Sequence, residues 1–551
     1  MSSPIEGISF GAQRRGRVGE LMLMLRYMLT WITAILCQLS ACVAVPLASD
    51  TISIRISQDP DTLNPFLTGM AVAQDVARPV LSGLVAVDDR LRIYPELATS
   101  VPLPENGGVT QQQGNLVVTY QLRPGIKWHD GAPFTSRDVA FTWRFALNQR
   151  ARIIDRTGYD RILKVETPEP YLVRIVFRGI YAPYLKLFHT VLPEHLLAEE
   201  VAPNAAKFNQ KPVGTGPYRI IKWVPGDHIE LVANDNYFRG KPNIKRLILQ
   251  ILPDDNTALV RLKAGALDVY QAVALSHLPV IKKMKNITLV SSSTLLYEHL
   301  LMNTAQSPFD DRRVRKAIAL AIDKETISRE IYSGMFKPAW CDQPPLSWAH
   351  DPSLQGKTDR RQAMALLEEA GWRSGSDGIR MKGTQRLSFN LLLTGGKKPR
   401  ELAALLIRRD LRAIGIEMRL QAIPAPLFFS TEGPMKQKTF AAAMWAWDTD
   451  VDPDPTNFWH SARILPQGSN ISRLRNAHLD SLLELAARTI DREKRQALYR
   501  QISRLLFDEV PDIPLLYWVT LSACSSQLVG WRPGPLGGLW NSYEWKMVRL
   551  I

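Results

Sequence analysis

Four carboxylates spaced by two, Asp448, Asp450, Asp452 and Asp454, follow two tryptophans, Trp445 and Trp447, in the stretch MWAWDTDVDPDP. Carboxylates beside indole faces can hold a cation: a buried ammonium requires a carboxylate, and aromatic rings add cation–π and stacking surface. The carboxylates at 448, 450 and 452 also suggest a calcium loop. That reading fails, because Pro453 stands where the loop needs glycine and Trp459 where it needs a bidentate glutamate. Asp452 and Asp454 are better explained as turn and cap residues ahead of a helix at Asn457.

Other reactive patterns are weaker. His129-Asp130 could be half of a metal-dependent phosphohydrolase site, but nine histidines scattered without motif spacing supply no further ligands. A G-x-S-x-G string at Gly7–Gly11 has no strand before it and no helix after it. There is no H-E-x-x-H, no Walker A and no dinucleotide fingerprint. The absence of a histidine cluster disfavours nickel. The residues therefore predict a protein that is not an enzyme and takes no cofactor.

The elements that must position these groups show in the periodicity. Leu116, Val118, Tyr120 and Leu122 form one face of a strand; Pro124-Gly125 turns the chain and a short second strand carries Lys127 and Trp128. His129-Asp130-Gly131 turns it again, and Thr135 with Asp138 makes a capping box for the helix that follows. A hairpin joins Tyr218–Trp223 to His228–Ala233. Gly214 and Gly216, just before it, allow backbone dihedrals closed to other residues, as a sharp crossing between lobes would need.

Beyond residue 300 longer helices are expected. Residues 311–322 put Val314, Ala317, Ile318, Ala321 and Ile322 on one face, with Arg312, Arg315 and Lys316 turned away. Helices over 361–372 and 401–414 end at Gly371 and Gly415. A strand over 416–422, helices over 476–487 and 493–507, and a strand over 511–518 complete the α/β pattern.

At 551 residues the chain should divide into two or three domains. Its net charge of +15 is spread along the sequence, and no basic cluster interleaved with aromatics suggests nucleic-acid binding. The apolar run Tyr27–Leu36 is too short for a comfortable membrane span. Leu39-Ser40-Ala41-Cys42 behind it looks like a bacterial lipobox, which would make Cys42 the lipid-modified first residue of the mature chain; cleavage near Ala44 or Ala48 into a soluble periplasmic protein is the alternative. Cys341 and Cys524 lie in different predicted lobes, where a disulfide would oppose hinge motion, so free or buried thiols are expected.

The segment from strand Leu116 through HDG, Pro133-Phe134-Thr135 and Asp138-Val139 resembles the signature of the extracytoplasmic solute-binding proteins of peptide-type ABC importers, the oligopeptide, dipeptide and nickel group (solute-binding family 5). So do Asp61–Pro65, Pro193–Leu196, Pro212–Tyr218, Asn236–Pro242 and the helix Asp311–Asp323, so the likeness covers essentially the whole mature chain. The resemblance implies an α/β fold like that of periplasmic binding proteins, two-lobed with an extra subdomain. Its expected boundaries are a signal peptide at 1–41, lobe I from 50–92, 211–292 and 522–551, an inserted subdomain at 93–210, and lobe II at 293–521.

In peptide-binding relatives an aspartate shortly after a tryptophan takes the peptide's α-ammonium, and neighbouring backbone pairs with the peptide like an added strand. Asp448 stands three after Trp445 and Asp450 three after Trp447; either could be the equivalent, with Asp448 narrowly preferred. Trp445, Ala446 and Trp447 join the expected ligand-binding set, with Asn303, Asn64 and Trp128 as secondary candidates. The implied partners are a peptide or another small solute (oligosaccharide, opine, glutathione or metal chelate) and permease subunits powered by separate ATPase chains. A monomer held at the membrane by its lipid is expected. A surface interaction protein or chaperone without a transporter is the alternative outside the class.

Overall fold

A computed structural model describes residues 50–548 apart from 431 and 467, so the leader and the lipobox at Cys42 lie outside the described residues. The apolar strands assemble into an eleven-stranded sheet. In its first half Thr51–Ile56 runs parallel to both Arg246–Ile251 and Val269–Tyr270, and the hairpin Tyr218–Val224/His228–Ala233 extends it antiparallel. In its second half Ser388–Thr394 runs parallel to Glu417–Ile423 and to Ala442–Asp448. Parallel neighbours need a crossover, which the helix Lys398–Arg412 supplies between the first two.

Two long strands, Ile287–Met302 and Asp512–Ser525, belong to both halves. They pair from Ile287–Ser525 to Ser293–Val519, lose register, and resume at Tyr297–Tyr517. Thr294, Leu295 and Leu296 therefore face the single residue Trp518. Such a bulge bends its strand and sharpens the local twist. Here it is stitched on both sides: the Thr294 hydroxyl donates to the Trp518 carbonyl (3.0 Å) and the Thr449 N–H donates to the Leu295 carbonyl (3.0 Å).

The apolar core divides accordingly. One cluster gathers Ile52, Leu249, Tyr120, Phe134 and Trp545; two others draw on residues 300–516, among them Ile318, Leu391, Ile407, Trp445 and Tyr499. The fold is two-lobed α/β. The first cluster extends under a four-stranded antiparallel sheet ordered Val109–Gln112, Asn115–Gln121, Leu172–Phe177, Ile162–Glu169, packed by the helix Ser136–Ala146. The Thr135 N–H donates to the Asp138 carboxylate (2.9 Å), as the sequence pattern requires.

Several local expectations need correction. Ile287–Met302 was not anticipated as a strand, since three serines interrupt its alternation, and Asp512–Ser525 runs well past residue 518. Lys127 forms only an isolated bridge to Pro133. Arg315 points inward: its guanidinium donates to the carbonyl of Phe309 (2.7 Å) and to that of Glu509 (2.9 Å), the latter freed where the Arg492–Glu509 helix ends.

Gly214 and Gly216 are required for space rather than for an unusual dihedral, as neither has positive φ. A Cβ on Gly214 would stand 1.7 Å from the Val80 carbonyl oxygen, and one on Gly216 2.5 Å from that of Pro79. His129 locks this crossing in place: the Gly214 N–H donates to its Nδ1 (3.1 Å), and its Nε2 bonds the Gly216 carbonyl (3.0 Å). A backbone oxygen cannot rotate away from a new methyl group, so Gly214→Ala should cost about 3 kcal/mol or more of stability. Urea unfolding reads this directly, and an unchanged midpoint would disprove the clash.

Candidate functional site

Several parts of the chain converge on a cavity of about 480 Å³. Its floor is the face of the bulged strand, Leu295, Tyr297, His299 and Leu301. One wall is the stretch from Trp447 to Phe458, and the facing wall carries Asp155, Thr157, Tyr181, Pro183 and Lys186 beside the four-stranded sheet.

The strand Ala442–Asp448 pairs antiparallel with the bulged strand and ends where the bulge begins, Asp448 opposite Leu296. Alternation puts Ala443, Trp445 and Trp447 on one face. Trp445 is buried there among Phe428, Phe429 and His299, while Trp447 reaches the cavity edge-on to Phe458.

The four carboxylates behave differently. Asp452 is buried and gripped by both terminal nitrogens of the Arg495 guanidinium, while the Tyr499 hydroxyl donates to the Pro453 carbonyl. These contacts bolt the loop to the Arg492–Glu509 helix. Asp454 accepts from the Thr456 N–H (3.2 Å) and so holds the turn that leads into the short helix Thr456–Trp459, whose N-cap is Pro455. Asp450 pairs with Lys186 across the cavity. Burial alone would lower the Lys186 ammonium, but the Asp450 carboxylate outweighs it and holds it above the ordinary lysine value.

The Asp448 carboxylate has no hydrogen-bond or ion-pair partner among the described residues. Its side chain reaches open space in the cavity, yet enclosing protein and then the Asp450 charge push its carboxyl up to about 6. A site that raises an acid this way disfavours an unpaired negative charge and would gain from an incoming cation.

The remaining candidates back the walls instead of bordering the cavity. Ala446 sits mid-strand opposite Glu298. Asn303 is fully buried and donates to the Phe440 carbonyl (3.2 Å). Asn64 is fully buried and donates to Asn209 Oδ1 (3.0 Å). Trp128 is buried against Phe134 and His195. Ala446, Asn303 and Asn64 thus hold backbone or core contacts, and the Trp128 indole Nε1 is buried without a hydrogen-bond partner among the described residues.

Lys186, Asp155, Tyr181 and His299 were not singled out in the sequence. Each is a lone polar residue far along the chain from Asp448, without spacing that could betray it. His299 Nδ1 lies 2.7 Å from Asp512 Oδ1, a residue 213 positions away. The His129-Asp130 doublet is structural, since Asp130 pairs with His195 (2.7 Å) while His129 serves the glycine crossing. Among the described residues no three His, Cys, Asp or Glu side chains gather as a metal site would need. Cys341 and Cys524 are buried free thiols.

Residues 92–465 match the sequence profile of the bacterial extracellular solute-binding proteins, family 5, middle region. The oligopeptide-binding protein AppA of Bacillus subtilis (strain 168) is 27% identical over 501 residues, covering 89% of this chain and 90% of that protein. Its structure in complex with a nonapeptide superposes with a TM-score of 0.73 at 26% identity, covering 91% and 99% of the two chains. NikZ from Campylobacter jejuni, solved with Ni(L-His), gives 0.75 at 27% identity over 90% and 99%.

Proposed function

This chain belongs to the bacterial extracellular solute-binding proteins of family 5, and we propose that within this family it captures peptides between its lobes and delivers them to an ABC permease driven by separate ATPase chains. The observation that carries this reading is Asp448, a partnerless carboxylate raised to about 6 at the end of the strand Ala442–Asp448. It is the partner that a peptide's α-ammonium needs. Trp447 beside it adds a ring face, and Asp450 takes the role of a closing contact through Lys186. A solute that touches both walls favours the closed form, because those contacts are absent when the lobes part.

The remaining assignments rest on the same reading. The bulge at Thr294–Leu296 serves as the hinge, lobe I comprises 50–92, 211–292 and 522–551, the inserted subdomain 93–210 and lobe II 293–521. The protein performs no bond chemistry, is a monomer outside the cytoplasm, and is held at the membrane through a lipid on Cys42.

Mass spectrometry of material that co-purifies with the native protein tests the function. A mixture of peptides is the expected result, accompanied by a smaller radius of gyration in solution scattering when peptide is present. A single sugar or metal chelate would replace the peptide reading with another solute, and a scattering profile indifferent to every small molecule offered would end it.

A pH dependence follows from Asp448, which holds an ammonium only when ionised. Lowering the pH below about 6 should weaken peptide binding close to tenfold per unit, while the α-ammonium stays charged up to about pH 7.7. Calorimetric titration across this range checks it. Flat affinity down to about pH 4.5 would exclude Asp448 as the anchor.

A further inference from the structure

The charge of the cavity runs against the charge of the chain. In a protein of net charge +15, Asp155, Asp342, Asp448, Asp450 and Asp454 border the cavity and Lys186 is the one cation among the described residues that does. Among the described residues no arginine borders it. Lys186 is already held by Asp450, so a ligand carboxylate would find no unclaimed positive group there. The acids stand on both walls, Asp155 on one and Asp448, Asp450 and Asp454 on the facing loop, with Asp342 on a further segment. Tyr181, on the same wall as Asp155, registers their combined field: after burial, the charges of Asp454, Asp452, Asp155 and Asp450 all push its phenol upward.

An independent feature points to an occupant. His299 borders the cavity, is 1% exposed, and its Nε2 is buried without a hydrogen-bond partner while Nδ1 engages Asp512. A buried polar atom is rarely left unsatisfied in this way.

A single α-ammonium balances Asp448 and Lys186 balances Asp450, which leaves Asp155, Asp342 and Asp454 without an ion-pair partner among the described residues. We infer that the solute carries at least two positive charges, the α-ammonium and a second ammonium or guanidinium, as in a short peptide with lysine or arginine near its N-terminus. This rests on the solute-capture reading and narrows its substrate class. An aliphatic polyamine presents the same chemistry, and the experiment separates the two sources.

The probes are Ala-Lys-Ala, Ala-Ala-Ala, Ala-Glu-Ala and spermidine, titrated calorimetrically into the native protein. Ala-Lys-Ala should bind at least about tenfold tighter than Ala-Ala-Ala, and Ala-Glu-Ala weakest, with the spread shrinking as salt is added. Asp155→Asn keeps the side-chain oxygen that accepts the Thr157 N–H but removes its charge. It should reduce the Lys-over-Ala ratio by about threefold or more. Equal affinity for the three peptides, or a preference for Ala-Glu-Ala, overturns the inference and leaves the peptide reading standing. Spermidine binding without peptide binding upholds the dication and removes the peptide. If none of the four binds, both fall.

Discussion

Replacing Asp448 by asparagine should weaken binding of a free peptide by about 2–4 kcal/mol, roughly 30- to 1,000-fold, because the α-ammonium would be enclosed without a counter-charge. N-acetylation removes that ammonium from the peptide. The native protein should therefore discriminate strongly between free and acetylated forms, and the variant should scarcely do so. Equal affinity of the native protein for the two forms would dismiss Asp448 from this role.

The same substitution should stabilise the unliganded protein. Asp448's carboxyl is raised from 3.8 to about 6, so the folded state disfavours its charged form. The penalty is absent below the unfolded value near 3.8 and grows as pH rises through about 6. A two-unit shift corresponds to about 3 kcal/mol at most; water in the cleft screens the charge and leaves a gain on the order of 1 kcal/mol at neutral pH. Weaker binding joined to a higher melting temperature is a signature that general damage to the fold would not produce.

The largest effect on stability is expected at Arg400→Met. Arg400, in the first turn of the Lys398–Arg412 helix, grips both carboxylate oxygens of Glu298 and the Thr394 hydroxyl. The Trp518 indole N–H donates to the same carboxylate (3.2 Å). Glu298 is 1% exposed and lies just past the bulge, so this network fastens a helix and both shared strands beside it. Removing the guanidinium strands a buried charge, a loss of about 3–5 kcal/mol. The double variant Arg400→Met/Glu298→Leu should recover most of it, because an apolar pair of similar size carries no such penalty. Denaturant unfolding of both variants decides the matter: a double variant no more stable than the single one would show that the ion pair is not what holds the crossing.

Local features of this chain were legible without coordinates because they depend on neighbours in sequence. The capping box at Thr135, the hairpin turning at Gly226 and the helices ending at Gly371 and Gly415 follow from backbone preferences and apolar periodicity, which act over a few residues. Asp448 and Asp450 were marked as candidates because the resemblance to peptide-binding relatives implies an aspartate shortly after a tryptophan, although spacing could not rank the two firmly.

Tertiary structure decided everything that depends on partners distant in the chain. It gave Asp450 to Lys186 and Asp452 to Arg495, left Asp448 alone, turned Arg315 inward, and withdrew Asn64, Asn303, Trp128 and Trp445 into the walls. The Thr294–Leu296 bulge likewise exists only as a mismatch between two strands more than two hundred residues apart. A carboxylate's chemistry is set by what lies within a few ångströms of it. For this protein those neighbours come from widely separated regions of sequence, so the residue types announced the kind of site and the packing chose which of them serve it.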